Sequence, residues 1–128
     1  MNIVVCVKQT PIPAEARFDP QTKTLIREGV NLTISCLDRR ALLEAVRIRD
    51  LVGGNVTALS MGPQQAETAL IECLALGADK GVLLTDRRFA GSDTLATART
   101  LALALQQLNP DLISVSYTHL TLPTNREV

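Results

Sequence analysis

Hydrophobic positions along this chain follow two rhythms. Short runs rich in Val, Ile and Leu occur at residues 3–8 (IVVCVK), 55–61 (NVTALSM), 80–85 (KGVLLT) and 111–115 (DLISV). Each is short, β-forming and bounded by turn residues, which predicts buried strands. The segments between them carry helical spacing. In residues 38–51 (DRRALLEAVRIRDL) apolar side chains stand at 42, 43, 46 and 51 with charges between them. This is an amphipathic helix, which Ser35 or Asp38 can cap and Gly53-Gly54 ends. Gly62-Pro63 leads into a second helix, QQAETALIECLALG, with Pro63 suited to its first turn and Gly77 to the position just past its end. A third helix, 93–108, is nearly saturated with Ala, Leu and Thr. It is expected to pack on more than one side before Asn109-Pro110 stops it.

Only the connection after the first strand breaks this alternation. It reads TPIPAEARFDPQTKTLIREG, and Pro11 and Pro13 bar a helix there. Residues 17–19 and 24–27 can instead pair around the Pro20–Lys23 turn as a small hairpin, with Gly29 closing it. The predicted order is strand, hairpin, helix, strand, helix, strand, helix, strand. Strands alternating with helices make this an α/β chain: an open parallel sheet with flanking helices and right-handed crossovers. No internal repeat or low-complexity segment interrupts it.

Composition supports that class. Aromatic residues amount to 2%, so the core must be built from Val, Leu, Ile and Ala, which suits parallel strands beneath Ala/Leu helices. At 128 residues the chain can bury one real core, and 46% apolar content argues against disorder. A net charge of zero offers no electrostatic match to nucleic acid or to an anionic membrane surface. No apolar run approaches the roughly 18 residues of a membrane span. The start MNIVVCVK lacks the basic leader of a signal peptide. Cys6, Cys36 and Cys73 are far apart and odd in number, which argues against a disulfide framework and for a reducing, cytoplasmic setting. In that setting they read as small buried hydrophobes, and the sequons at Asn31 and Asn55 as accidental.

Ligands of open parallel sheets bind beyond the carboxyl ends of the strands, so candidate chemistry belongs there. Ser60-Met61-Gly62-Pro63 makes a tight strand-to-helix turn in which Gly62 lets backbone approach a ligand and helix N–H groups can meet an anion. An ordinary turn explains it as well. It is neither a GxGxxG fingerprint nor a GxxxxGK[ST] phosphate loop. Asp93, Thr94 and Thr97 share the first turn of the third helix, where hydroxyls beside N–H groups can cradle phosphate or ribose. The alternative is plain capping by Ser92 or Asp93. No nucleophile–base constellation occurs, the single His119 lies in an irregular tail, and no metal-ligand spacing is present. Chemistry alone points to a nucleotide-binding or carrier domain rather than a hydrolase or transferase.

Several stretches together resemble one family. MNIVVCVKQTP, FDPQTKTLIREGV, ALLEAVRIRD, VTALSMGPQQAE, ALALGADKGVLLTDRRFAGSDTLATA and DLI are similar, in order and spacing, to the N-terminal half of the electron transfer flavoprotein β subunit. The resemblance implies an adenine nucleotide α-hydrolase-like (Rossmann-like) domain with a hairpin insertion after its first strand. It also implies a heterodimer with an α subunit that holds a redox FAD, and electron transfer between a dehydrogenase, such as an acyl-CoA dehydrogenase, and an acceptor. The β subunit's own site would hold AMP or, in flavin-bifurcating members, a second FAD. The family's nucleotide contacts carry over to Cys6 and Val7, to Ser35, Cys36, Leu37 and Asp38, to Met61 beside Gly62, and to Asp93, Thr94 and Thr97. The last three match an ADTxAT-like segment of bifurcating members and lean the reading toward FAD.

Two departures accompany the resemblance. The family commonly has Asn-Pro where this chain has Ser35-Cys36, and after DLI it continues into a Gly-containing loop around the nucleotide phosphates. Here residues 114–128 (SVSYTHLTLPTNREV) follow instead. Residues 1–113 are therefore expected to be an N-terminal part of the nucleotide-binding domain, truncated. Residues 114–128 are expected to be a non-family tail of the kind left by adapter read-through, with Tyr117 and His119 outside any site. A free-standing adenine-nucleotide-binding module of the universal stress protein type, and an inert fragment, are the competing readings.

Overall fold

The first apolar run forms strand β1 (Asn2–Cys6), a central strand of the sheet in the computed structural model, which describes residues 1–11, 17–21, 24–26 and 32–116. The chain then makes β2 (Gln9–Pro11), β3 (Arg17–Asp19), β4 (Thr24–Ile26) and β5 (Leu32–Ile34) before helix α1 (Cys36–Val52). Strand β6 (Asn55–Met61), a short 3-10 turn, α2 (Glu67–Ala75) and β7 (Lys80–Leu84) follow. A second 3-10 turn leads to α3 (Thr94–Leu108) and β8 (Leu112–Ser114). Four strands form one sheet in the order β7-β6-β1-β8, all parallel, so the predicted α/β class holds.

The small hairpin also holds: β3 and β4 pair antiparallel, Arg17 opposite Ile26. Gly29 lies outside the described residues, as does the tail from Tyr117. A second pairing was not legible in the sequence. β2 runs antiparallel to β5, with Gln9 opposite Ile34, so the insertion returns beside its own starting point. Glu72 of α2 holds that return in place. Its carboxylate accepts from the Thr33 hydroxyl at 3.0 Å and from the Ile34 N–H at 3.1 Å.

The core lies between the sheet and helices α1 and α2. Ile3 and Val5 of β1 and Val56 and Ala58 of β6 meet Leu42 and Ala45 of α1 and Ala69, Leu70 and Cys73 of α2. Strand side chains alternate, so these residues share one face of the sheet. Each fully buried aliphatic side chain of Leu or Val size contributes about 1.5–3 kcal/mol. β6 carries five consecutive buried residues, as a central parallel strand should. The helix ends are set by glycine where the sequence placed it. At Gly77 (φ 121°) the Ala78 N–H bonds the Cys73 carbonyl and the Gly77 N–H bonds that of Leu74, a Schellman closure of α2.

Helix α3 departs from expectation. No residue of it is buried, and Leu95 and Leu103 are 59% and 65% exposed. Its Ala/Leu composition suggested packing on several sides, but within the described residues only part of its surface meets a neighbour. β8 is likewise thinly covered, with Leu112 and Ile113 exposed on an edge of the sheet.

Candidate functional site

The strand order places the topological switch point between β1 and β8. The connections leaving β1 and β6 step toward β7, whereas the connection through α3 returns to the opposite edge at β8. Neighbouring strands whose connections part in this way leave a crevice beyond their carboxyl ends, and ligands of such sheets bind there.

Cys6 ends β1 and Val7 follows it. The Val7 N–H donates to the Leu59 carbonyl at 2.9 Å and its side chain is buried in the core, so only its backbone can face the crevice. Lys8 is tied at both peptide groups to the start of α1. Its N–H donates to Asp38 Oδ2 at 2.8 Å, and its carbonyl accepts the Ser35 N–H at 3.0 Å. Ser35 is the N-cap residue of α1 but makes no side-chain cap. Asp38 does not reach back along its helix either, which corrects the capping expectation for both residues. The β2–β5 pairing brings Lys8 beside the helix start, and the Asp38 carboxylate bonds its amide instead. Asp38 is 4% exposed, Leu37 and Ser35 are half-buried, and Cys36 is exposed.

The far wall comes from β8. The Ser114 hydroxyl donates to the Ala41 carbonyl at 3.2 Å, and the Ser116 hydroxyl donates to Asp38 Oδ1 at 2.6 Å. On the next strand, half-buried Met61 and Gly62 close the end of β6, where the Gly62 N–H donates to the Leu84 carbonyl. The structure thus gathers Cys6, Val7 and residues 35–38 around one crevice, with Met61 and Gly62 at the end of the strand beside β1.

Asp93, Thr94 and Thr97 stand apart, in the turn that follows β7. Asp93 Oδ1 accepts the Ala96 N–H at 2.8 Å, so the capping alternative is realised. Thr94 is exposed and Thr97 half-buried. Among the described residues, hydrogen bonds from these three stay within the helix start and none reaches the crevice.

A helix start attracts anions, but Asp38 puts a carboxylate in the first turn of α1, and Asp93 caps α3 with another. Both helix starts are therefore poorer phosphate sites than the bare helix dipole would make them. Burial, and secondarily the Asp38 charge, push the Cys6 thiol up to about 11, so it stays protonated and is a poor nucleophile. Among the described residues, no group of three or more His, Cys, Asp or Glu side chains could hold a metal ion, and no helix is long and apolar enough to cross a membrane.

The family model described as "Electron transfer flavoprotein domain" matches residues 22–126. The chain belongs to this family. Among curated relatives, the electron transfer flavoprotein subunit beta of Thermoanaerobacterium thermosaccharolyticum is 58% identical over 113 residues, covering 88% of this chain and 44% of the relative. Protein FixA of Azotobacter vinelandii is 47% identical over 112 residues, 88% of this chain and 40% of its own length. The caffeyl-CoA reductase-Etf complex subunit CarD of Acetobacterium woodii is 47% identical over 109 residues, 84% of this chain and 42% of its own. The chain therefore spans less than half the length of these relatives. The family match also runs past residue 113 into the segment whose pattern looked foreign. Lys8 lies in the stretch just past β1 that the strand-end rule singles out, but its part there was not legible. Its contribution is a backbone amide and carbonyl, which no residue type announces.

Proposed function

We propose that this chain supplies the nucleotide-binding part of an electron transfer flavoprotein β subunit, a carrier component rather than a stand-alone enzyme. The observation that carries the reading is the switch point between β1 and β8 in a chain of this family, lined by the very segments, 6–7 and 35–38, that the resemblance assigns to nucleotide contact. The adenosine part of AMP or FAD fits there. Ser35 presents a hydrogen-bonding group, and Leu37 and Met61 apolar surface for the base, while buried Asp38 holds the segments around them. The carboxylates of Asp38 and Asp93 disfavour phosphate at either helix start, so charge on the ligand is met elsewhere in the full subunit. Asp93, Thr94 and Thr97 form a second element of the same site in this reading, and their pattern favours FAD over AMP.

The redox FAD belongs to an α subunit, whose bound flavin supplies the electron chemistry while this chain's residues bind and orient. A relative named as a subunit of a caffeyl-CoA reductase-Etf complex supports a partner of the acyl-CoA dehydrogenase type. The same reading places the pair in the cytoplasm. In it, residues 1–113 are the domain's N-terminal part and residues 114–128 a tail of other origin; the genomic frame downstream of codon 113 decides that point.

Co-expression with a family α subunit tests the proposal. Purified heterodimer is expected to show flavin absorbance and to release an adenine nucleotide on acid treatment, while the chain alone retains neither. Nucleotide held by the isolated chain would favour a free-standing module. Absence of binding in both preparations would refute a nucleotide-binding role.

A further inference from the structure

The crevice has one residue that touches both of its walls. Asp38 Oδ2 accepts the Lys8 N–H at 2.8 Å, on the segment leaving β1. Asp38 Oδ1 accepts the Ser116 hydroxyl at 2.6 Å, on the segment leaving β8. β1 and β8 are adjacent parallel strands, and these contacts lie just past the last paired residues of their ladder, Val5 and Ser114. The carboxylate is 4% exposed, so it is held in place and little screened by water. Lys8 is gripped a second time through its carbonyl by the Ser35 N–H, which fixes the peptide plane on which the first bond depends. Burial is the larger cause of the raised Cys6 thiol, but the Asp38 charge is felt there too, at the last residue of β1.

From this geometry we infer that Asp38 is a positioning residue of the nucleotide crevice: its carboxylate latches the exit of β1, at Lys8, to the start of α1 and so fixes one wall of the gap, while the Ser116 bond belongs to the 114–128 segment and is not needed for the latch. The inference rests on the nucleotide-binding reading above for what the gap holds, but the latch itself is a property of the chain alone. An acceptor at this place is what matters, rather than a negative charge. An asparagine, whose side-chain oxygen can still accept the Lys8 N–H, therefore preserves the latch, whereas alanine removes it. Asp38→Glu keeps the charge but displaces both oxygens by a methylene, and it behaves like alanine.

Amide hydrogen exchange at Lys8, measured by NMR on the 128-residue chain, reads the latch directly. Lys8 is expected to be protected in the unaltered chain. Exchange rises about tenfold in D38A, the size expected for losing a hydrogen bond to a charged acceptor, and stays near the original rate in D38N. If D38A does not fold, D38E takes its place with the same expectation. In the α-subunit heterodimer, adenine nucleotide retained through purification falls in D38A or D38E and is kept in D38N. Lys8 exchange at the free-peptide rate in the unaltered chain would overturn the latch. So would unchanged exchange in a folded D38A, or a D38N as fast as D38A. A heterodimer of the unaltered chain that holds no adenine nucleotide would instead refute the nucleotide reading, with the Lys8 exchange still deciding the latch.

Discussion

Replacing Gly54 with alanine is expected to dislodge the amino-terminal end of the central strand pair. Gly54 has φ 117°, a conformation that L side chains rarely adopt, and a Cβ built there would overlap the Met1 backbone. Strain of that kind costs about 1–3 kcal/mol. The overlap can be relieved only by moving Met1, whose carbonyl accepts the Asn55 N–H at 3.0 Å and whose amino group donates to the Gly53 carbonyl at 3.2 Å. Each of those bonds is worth about 0.5–1.5 kcal/mol net. Together the effects come to about 3 kcal/mol or more, a large share of the roughly 5–15 kcal/mol that holds a typical domain. Gly53 provides the control. It also has a positive φ, 82°, but a Cβ there meets nothing within 4 Å, so Gly53→Ala carries conformational strain alone, about 1–2 kcal/mol. Urea unfolding of both variants, read as a shift in midpoint at unchanged slope, separates strain from overlap. A G54A no less stable than G53A would refute the close approach of Met1 and, with it, the Asn2–Asn55 register from which the β1–β6 pairing starts.

Three further outcomes follow from named contacts. Asp79 accepts the Val56 N–H at 2.8 Å and pairs with Arg49 at 2.9 Å, which holds its carboxyl below the ordinary value of 3.8. Its contribution to stability is therefore complete above that value and is lost as pH falls through the lowered one; in D79N the acid side of the stability profile flattens, as urea midpoints between pH 2 and 5 would show. Removing Glu72 frees β5 from α2: E72A is expected to speed exchange of the Ile34 amide about tenfold with little change at β6, whereas E72Q, which keeps an acceptor, has the smaller effect. Cys36 is exposed, while burial pushes the Cys6 and Cys73 thiols up to about 11, so a thiol reagent at neutral pH labels Cys36 rapidly and the other two only on unfolding. Equal labelling of all three in the folded chain would contradict the packing at the ends of β1 and α2.

What the sequence revealed, and what it hid, follows from the range of the interactions. β6 was readable to its last residue because five consecutive buried positions stand between two turns. The β3–β4 hairpin was readable from its local turn chemistry. The β2–β5 pair was not, because it joins short, partly polar segments across the whole insertion and no local pattern marks it. That pairing is also why Asp38 leaves its helix for Lys8, so the capping expectation and the missed strand share one cause. α3 misled in another way. Its composition records surfaces that the described residues leave largely uncovered, and periodicity cannot say what lies against a helix. The crevice was half legible. The strand-end rule and the resemblance both pointed to Cys6 and Val7, and the resemblance added residues 35–38; Asp93, Thr94 and Thr97 were readable as a helix start, and the fold shows that their bonds stay within it.

In the function proposed above, an adenine nucleotide occupies the crevice between β1 and β8 in the assembled flavoprotein. Hydrogen exchange of the α-subunit heterodimer, followed by mass spectrometry before and after nucleotide removal, tests it most directly. Peptides covering residues 6–8 and 35–38 are expected to lose protection when the nucleotide leaves and to regain it when AMP or FAD is restored. Peptides at the opposite ends of the strands, around Arg49 and Asp79, are expected to stay unchanged. Unchanged exchange at 6–8 and 35–38, with a response elsewhere in the chain, would contradict the account.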